Sequence, residues 1–414
     1  MPPPLKNDCF AMPPGVDWTP VDAALARLRE GVGPVTGREV VALGSALGRV
    51  LVEDIAAPRA HPPFTNSAVD GYGYAQGSEP EGGLVLVEGR AAAGAGFDGV
   101  VAPGTALRVL TGARLPKGVD TVVLEEDCEV ADGRVLFGKG LKYGANTRPA
   151  GEDIAQGAHL LPSCRRLTAG DLAMLASVGV AEVPVRARLK VAVLSTGTEI
   201  VQPGDVPGPS GIFDANRPML AALLDGWGYE VVDLGHVPDD RAQVLAALDR
   251  GAAEADAVLT TGGASAGDED HISAALKGAG ALNTWRIALK PGRPLALGLW
   301  EGTPVFGMPG NPVAAFVCAL IFARPALGVL AGGPWAEPEG VMLPAGFEKA
   351  KKQGRAEYLR ARVRGASVEV FASEGSGRVS GLSWAEGLVV LAHEAGPVAR
   401  GDLVRFISFS DFGV

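Results

Sequence analysis

From Leu189 to Val329, short apolar runs alternate with amphipathic stretches, and few folds accept that order. Lys190–Leu194, Glu230–Leu234, Ala257–Leu259, Trp285–Leu289, Leu295–Leu299 and Val305–Met308 read as strands. Patterns of helical period at Pro218–Trp227, Asp240–Ala253, Asp270–Leu276 and Val313–Val329 separate most of them. Strands that are apolar throughout bury both faces, which short crossovers achieve by placing helices on either side of a mainly parallel sheet. The expectation is a three-layer α/β domain over residues 187–330.

In an open parallel sheet, ligands bind beyond the carboxyl ends of the strands. The segments that follow each strand are therefore the informative ones: Ser195–Glu199, Gly235–Asp240, Thr260–Asp270, Lys290–Arg293 and Met308–Pro312. Gly262 with Gly263, and the turn Pro309-Gly310-Asn311, can bring backbone N–H groups up to a phosphate. Asn311 and Pro312 suit the cap and first residue of a helix, whose amino end favours an anion. Glu199, Asp239, Asp240, Asp268 and Asp270 would repel that phosphate unless a cation lies between, and Mg²⁺ shared by carboxylate and phosphate oxygens is the common solution. Lys290 as a point charge and Arg293 as a planar fork can neutralise the rest. Each residue also has a plainer reading. Asp240 and Asp268 suit helix caps, Arg286 alternates with apolar neighbours as a solvent-facing charge would, and the glycines suit tight turns. Five segments on one edge favour the functional reading.

Two motif matches need a context test. Gly94–Gly99 fits G-x-G-x-x-G, but no helix follows and Pro103 intervenes, so it reads as a loop. Gly263-Ala-Ser265-Ala-Gly267 fits the nucleophile elbow of a serine hydrolase in the correct strand–turn–helix setting. Against hydrolysis, Asp268, Glu269 and Asp270 crowd the helix start where an oxyanion would need stabilising, and His393 lies beyond a Gly332-Gly333-Pro334 linker.

Outside the alternating region, Thr19-Pro20 opens an amphipathic helix through Leu28, and a capping box at Thr168 and Asp171 opens another that ends at Gly179. Between them, Leu84–Val87, Leu107–Leu110, Thr121–Leu124 and Arg134–Phe137 suggest an inserted β-rich region. Leu359–Val363, Val368–Phe371, Leu388–Leu391 and Leu403–Ile407 suggest a second small β domain after the linker. The chain carries 58 Gly and 31 Pro in 414 residues, consistent with several turn-rich domains, while 47% hydrophobic against 20% charged content argues against disorder. A net charge of −10 disfavours a general nucleic-acid surface. Cys9, Cys128, Cys164 and Cys318 form no metal-ligand spacing and are expected to be reduced thiols. The start Met1-Pro-Pro-Pro-Leu-Lys has no apolar signal core, and Val313–Ala323, cut by Arg324, reads as a core helix rather than a membrane span; a cytoplasmic protein with no membrane partner is expected.

The ordered series Asn66-Ser-Ala-Val-Asp70-Gly-Tyr, Leu110-Thr111-Gly-Ala with Pro116 to Asp120, Gly151-Glu-Asp153, Leu194–Glu199, Thr261–Asp270, Leu289–Pro294 and Gly307–Pro312 closely resembles the molybdopterin molybdotransferase family of MoeA and the gephyrin C-terminal domain. The likeness runs from about residue 18 to the C-terminus. It implies a homodimer of four-domain chains: a discontinuous helical domain (1–54 and 151–186), an inserted β-rich domain (55–150), the α/β molybdopterin-binding domain (187–330) and a C-terminal β-barrel (331–414). The implied reaction takes adenylylated molybdopterin and molybdate, with Mg²⁺ present, to AMP and molybdenum cofactor, which is then transferred to carriers or enzymes.

By motif position, the resemblance makes Asp70, Thr111, Glu199, Asp270 and Lys290 the catalytic candidates. Glu199, Asp239 or Asp240, and Asp270 would lie around nucleotide and metal, with Asp70 and Thr111 reaching across a domain or subunit boundary. Gly262, Gly263, Ser265, Arg286, Arg293, Pro309, Gly310 and Asn311 would contact phosphate or substrate, as would Arg355 and Ser376 in the last domain. Arg286 and Arg293 stand where relatives often carry Lys, and Thr198 where Asp is common, which gives Glu199 more weight. A non-catalytic pterin-binding scaffold would be marked by loss of Asp70, Glu199 or Asp270, all present here. A smaller adenylyltransferase would lack the inserted and C-terminal domains.

Overall fold

The computed structural model describes residues 18–262, 271–278, 282–292 and 294–414, with backbone alone at 282–286 and Pro294. The chain divides into two compact units. One takes the residues up to Glu39 together with Arg186–Val414, and the other is Val40–Val185.

The first unit is built on helix α1 (Val21–Gly31), strands β1 (Lys190–Thr196), β2 (Glu230–Val237), β3 (Ala257–Thr261), β4 (Leu282–Arg286), β5 (Pro294–Trp300) and β6 (Thr303–Met308), and helices α2 (Asn216–Gly226), α3 (Arg241–Glu254) and α4 (His271–Gly278). The six strands form one sheet in the order β2-β1-β3-β6-β5-β4. Neighbours from β2 to β6 pair in parallel, and β5 runs antiparallel to both β6 and β4. Five strands therefore share one direction and end at one edge. The strand expected over Trp285–Leu289 lies earlier, as β4, because the chain leaves the sheet after Arg286: Leu289 and Lys290 pair instead with Ala356 and Glu357.

The alternating sides of β1 go to two cores. Val191 and Val193 pack with α2 and with the helical rod Pro312–Leu330; Ala192 and Leu194 pack with α3 and α4. These are the three layers expected. The rod, helical throughout with a wider turn at Ala319–Ala323, is long and apolar enough to cross a membrane, and it is buried in this core. Val21, Ala24, Leu25 and Leu28 of α1 join that core too. The first helix thus belongs with the α/β sheet, and the unit division at Glu39 falls inside the segment 1–54. Periodicity reveals a buried face without showing what covers it.

The C-terminal residues form a curled sheet: Leu289–Lys290, Ala356–Arg364, Gly387–Leu391, Leu403–Ser408 and Val341–Pro344 in order, with Ser367–Val370 flanking Ala356–Arg364. A parallel bridge between Ala345 and Val368 ties the two ends together, around a core of Leu359, Ala361, Val389, Leu391, Val404 and Phe406.

In the second unit, six strands run in the order Thr121–Leu124, Gly71–Tyr74, Thr105–Val109, Leu84–Ala91, Arg134–Phe137 and Cys128–Ala131. Gly71–Tyr74, absent from the strands expected from the sequence, is a fully buried interior strand. A Cβ at Gly71 would lie 1.9 Å from the Val123 carbonyl oxygen, so the glycine permits the pairing and removes the apolar alternation that would have announced it. Elsewhere in the unit, helix Ala169–Ser177 carries the expected capping box: Thr168 Oγ1 accepts from Asp171 N (3.3 Å) and the Asp171 carboxylate accepts from Thr168 N (2.8 Å). Its apolar face joins Leu51, Leu161 and Leu167.

Candidate functional site

The register places the ends of the parallel strands level: Thr196 opposite Val237, Ser195 opposite Thr261, and Thr261 opposite Met308. At this edge Gly262 takes a φ of +89°, and a Cβ on it would lie 2.3 Å from the Thr196 carbonyl oxygen. Only glycine fits there. Gly310 comes against it, a Cβ at Gly310 meeting Gly262 Cα at 3.8 Å. The two turns singled out as phosphate cradles are therefore neighbours.

A residue absent from the sequence reading fastens them. Buried Asn216, first in α2, donates from Nδ2 to Thr261 Oγ1 (2.6 Å) and to the Gly310 carbonyl (2.7 Å). Asp214 orients it, accepting from the N–H groups of Asn216 (3.1 Å) and Arg217 (3.0 Å), while Ser195 Oγ donates to its other oxygen. Asp214-Ala-Asn216 before an apolar period is a cap signal, but the partners of Asn216 lie 45 and 94 residues away.

The loops after β1 and β2 are tied reciprocally: Thr198 N donates to Asp239 (2.9 Å) and Asp239 N to Thr198 Oγ1 (3.2 Å). His236 Nε2 sits 2.6 Å from the Gly197 carbonyl, and His271 Nε2 3.1 Å from that of Asp239. Glu199 is exposed, its carboxylate folded over Gly197. Asp240 caps α3 by accepting from Gln243 N (2.9 Å), the plainer of its two readings. Glu199 and Asp239 thus lie on joined loops as carboxylates that Mg²⁺ could share with substrate phosphate, a donor set of the usual kind for that ion. Among the described residues no three His, Cys, Asp or Glu gather as a complete metal cluster. Gly263, Ser265, Asp268, Asp270 and Arg293 lie outside the described residues, as does the elbow motif; Arg286 closes β4 at the same edge.

Lys290 lies where the chain passes from the α/β sheet to the C-terminal sheet. Its ammonium pairs with Glu374 and stands 3.8 Å from Glu357; Lys349 also pairs with Glu374 and stands 3.0 Å from Glu357. Burial alone would raise the Glu374 carboxyl, but the two lysines outweigh it and hold it below the ordinary range. Glu374 and Ser376 share a loop whose carbonyls at Ser373, Gly375 and Arg378 accept from buried Arg360. The Ser376 carbonyl accepts from Val313 N (3.0 Å), serving the amino end of the Pro312 helix. Asn311 stands at the cap position, but its side chain makes no capping bond. Arg355 directly precedes the strand that pairs with Leu289 and Lys290.

In the other unit, Asp70 Oδ1 accepts from both the Thr111 N–H (2.6 Å) and the Thr111 hydroxyl (2.7 Å). These bonds, the backbone one first, hold the Asp70 carboxyl below the usual range. Gly112, at φ +77°, turns the chain just past Thr111.

Three family models cover the chain in order: the MoeA N-terminal region (domain I and II) at residues 19–179, a probable molybdopterin binding domain at 192–328, and the MoeA C-terminal region (domain IV) at 343–409. A molybdopterin molybdenumtransferase of Haemophilus influenzae is 34% identical over 397 residues, spanning 94% of this chain and 98% of its own. The chain belongs to the MoeA family. Molybdopterin molybdenumtransferase 2 of Mycobacterium tuberculosis is 32% identical over 392 residues, covering 91% of this chain and 95% of its own. The crystal structure of a molybdopterin biosynthesis MoeA protein from Pyrococcus horikoshii superposes with a TM-score of 0.82 at 28% identity, over 95% of this chain and 99% of that one. The multidomain α/β architecture of this MoeA-family chain is thus that of a solved relative.

Proposed function

We propose that this MoeA-family chain is a molybdopterin molybdenumtransferase that inserts molybdate into adenylylated molybdopterin, releasing AMP and molybdenum cofactor. The observation that carries the reading is the meeting of Gly262 and Gly310 at the strand-end edge, fastened by Asn216, in a chain whose curated relatives bear that name. Backbone brought this close suits a diphosphate, the chemical form of an adenylylated pterin phosphate. Glu199 and Asp239, with Asp270, are the candidates to hold Mg²⁺, which when bound would draw charge from the phosphate oxygens. Lys290 supplies positive charge where the leaving phosphate or the incoming oxyanion gathers negative charge, and fixed charges stabilise a transition state without reorganising. Arg286, Arg293, Arg355 and Ser376 are assigned to substrate contacts. Asp70 and Thr111 are assigned to the same reaction through the motif they match, Thr111 keeping the carboxylate ionised. A homodimer, a cytoplasmic location, a four-domain division in which the first helix joins the α/β domain, and delivery to molybdenum-cofactor carriers or enzymes complete the reading.

The test mixes purified protein with adenylylated molybdopterin, Mg²⁺ and molybdate and follows AMP. Molybdate-dependent AMP release is expected, with Glu199→Ala lowering kcat/KM at least roughly 10- to 100-fold, the range for losing even an outer partner of a metal ligand. Absence of AMP release from native protein, or full activity in both Glu199→Ala and Asp70→Ala, would refute the assignment.

A further inference from the structure

We propose that Lys290 and Lys349 form a two-lysine oxyanion subsite, that Glu374 occupies it in the free protein as an exchangeable counter-ion, and that molybdate enters by displacing Glu374. The inference rests on the transferase reading and deepens it, adding two residues that the family motifs do not mark.

The arrangement is that of a site already holding an anion. One Glu374 oxygen pairs with the Lys290 ammonium and the other with that of Lys349, so a single carboxylate spans both cations as two oxygens of a tetrahedral oxyanion could. The partners are unequally buried: the lysine side chains are 11% and 10% exposed, Glu374 is 42% exposed. Beneath them Glu357, at 4%, is the permanent counter-charge. Glu374 is thus the member that can swing into water at little cost.

The charges favour exchange for a dianion. Lys290, Arg360, Ser373 and Glu374 line a small cavity with Pro291 and Val313. Among the described residues, Lys290, Lys349 and Lys351 gather about one buried carboxylate, Glu357, and Arg360 adds a further cation beside Glu374, so these groups are net positive without Glu374. Glu374 cancels one of those charges and a dianion cancels two. A tetrahedral monoanion offers no more charge than the carboxylate it must evict, so Glu374 also selects by charge. The loop need not unfold, because Arg360 holds its carbonyls while the Glu374 side chain moves.

Binding is measured by titration calorimetry on the full chain with molybdate, perrhenate and AMP as separate probes. Glu374→Gln should bind molybdate roughly three- to tenfold tighter than native protein, the scale of losing a competitor held by two partly exposed ion pairs, and should gain affinity for perrhenate as well. Lys349→Met should weaken molybdate by a similar factor. Unchanged or weaker molybdate binding in Glu374→Gln overturns the proposal. So does tightening confined to AMP, which would make this a phosphate subsite. Should Lys349→Met fail to fold, having stripped Glu357 of its nearer cation, Glu374→Gln decides alone. If native protein neither binds molybdate nor releases AMP, the transferase reading falls; if it does both and Glu374→Gln changes nothing, this inference alone falls.

Discussion

Replacing Asn216 by alanine tests whether one buried amide sets the spacing of the two glycine turns. The side chain donates at 2.6 Å to Thr261 Oγ1 and at 2.7 Å to the Gly310 carbonyl. Each such bond contributes about 1 kcal/mol net. The abandoned groups are not equally stranded: Gly310 is exposed and its carbonyl can take water, whereas the buried Thr261 hydroxyl keeps, among the described residues, a long contact of 3.5 Å to the Pro309 carbonyl. That adds about 1 kcal/mol for a poorly satisfied buried hydroxyl, while alanine returns about 0.6 kcal/mol of helix propensity. The expected net loss is roughly 1.5–2.5 kcal/mol. The chain permits a clean assay, because its six tryptophans, Trp18, Trp227, Trp285, Trp300, Trp335 and Trp384, all lie in the unit that contains Asn216. Tryptophan emission during a urea titration therefore reports on that unit. With a slope of about 3 kcal/mol per molar, the midpoint should fall by about 0.5–0.8 M. Asn216→Asp, which keeps the size but sets an acceptor against the Gly310 carbonyl, should fall at least as far. A midpoint shift below about 0.2 M for both variants would refute the claim that Asn216 holds the turns together.

In the other unit, Gly71→Ala forces a methyl to within 1.9 Å of the Val123 carbonyl oxygen in the middle of a sheet. Strand separation is the relief available, so a loss of roughly 3 kcal/mol or more is expected, seen as earlier loss of amide protection in Gly71–Tyr74 and Thr121–Leu124; native-like protection there would contradict it. Asp70 should titrate below the ordinary carboxylate value by carbon-detected NMR, and Thr111→Val should move it part of the way back, since the Thr111 N–H bond, the larger cause, survives. The sign follows: a depressed folded value contributes stability at neutral pH that is lost as pH falls from the unfolded value, about 3.9, through the lower folded one. Titration of Asp70 at or above the ordinary value would remove the basis for the pairing.

The layers of the α/β domain were legible because both cues, apolar strands and helical periods, are local. The loops at the strand ends were legible for the same reason, since parallel strands of one direction must bring their ends together. Asp70 and Thr111, 41 residues apart, were found through motifs and not through physics. Gly71–Tyr74 was missed because the glycine that allows a close strand pairing also removes the apolar alternation by which a strand is recognised. The buried face of α1 was visible and its partner was not, since any apolar sheet would have satisfied the same stripe.

The residues overlooked at the site share one property: each is an unremarkable polar residue until a distant segment arrives. Asn216 resembles a helix-start residue, Lys349 and Glu374 resemble solvated charges, and Arg360 alternates along a strand. Each acquires its role from a partner 13 to 94 residues away. The glycines behave in the opposite way. Gly262 and Gly310 advertise themselves locally, yet their use depends on the amide that joins them. A turn able to approach an anion is therefore only half of such a site, the other half being the buried donor that fixes where the turn stands. That division predicts an asymmetry: losing Asn216 should raise KM for the adenylylated substrate more than it lowers kcat, because the backbone donors survive and only their spacing loosens. An effect confined to kcat would place Asn216 in the chemistry itself, contrary to its position beneath the turns.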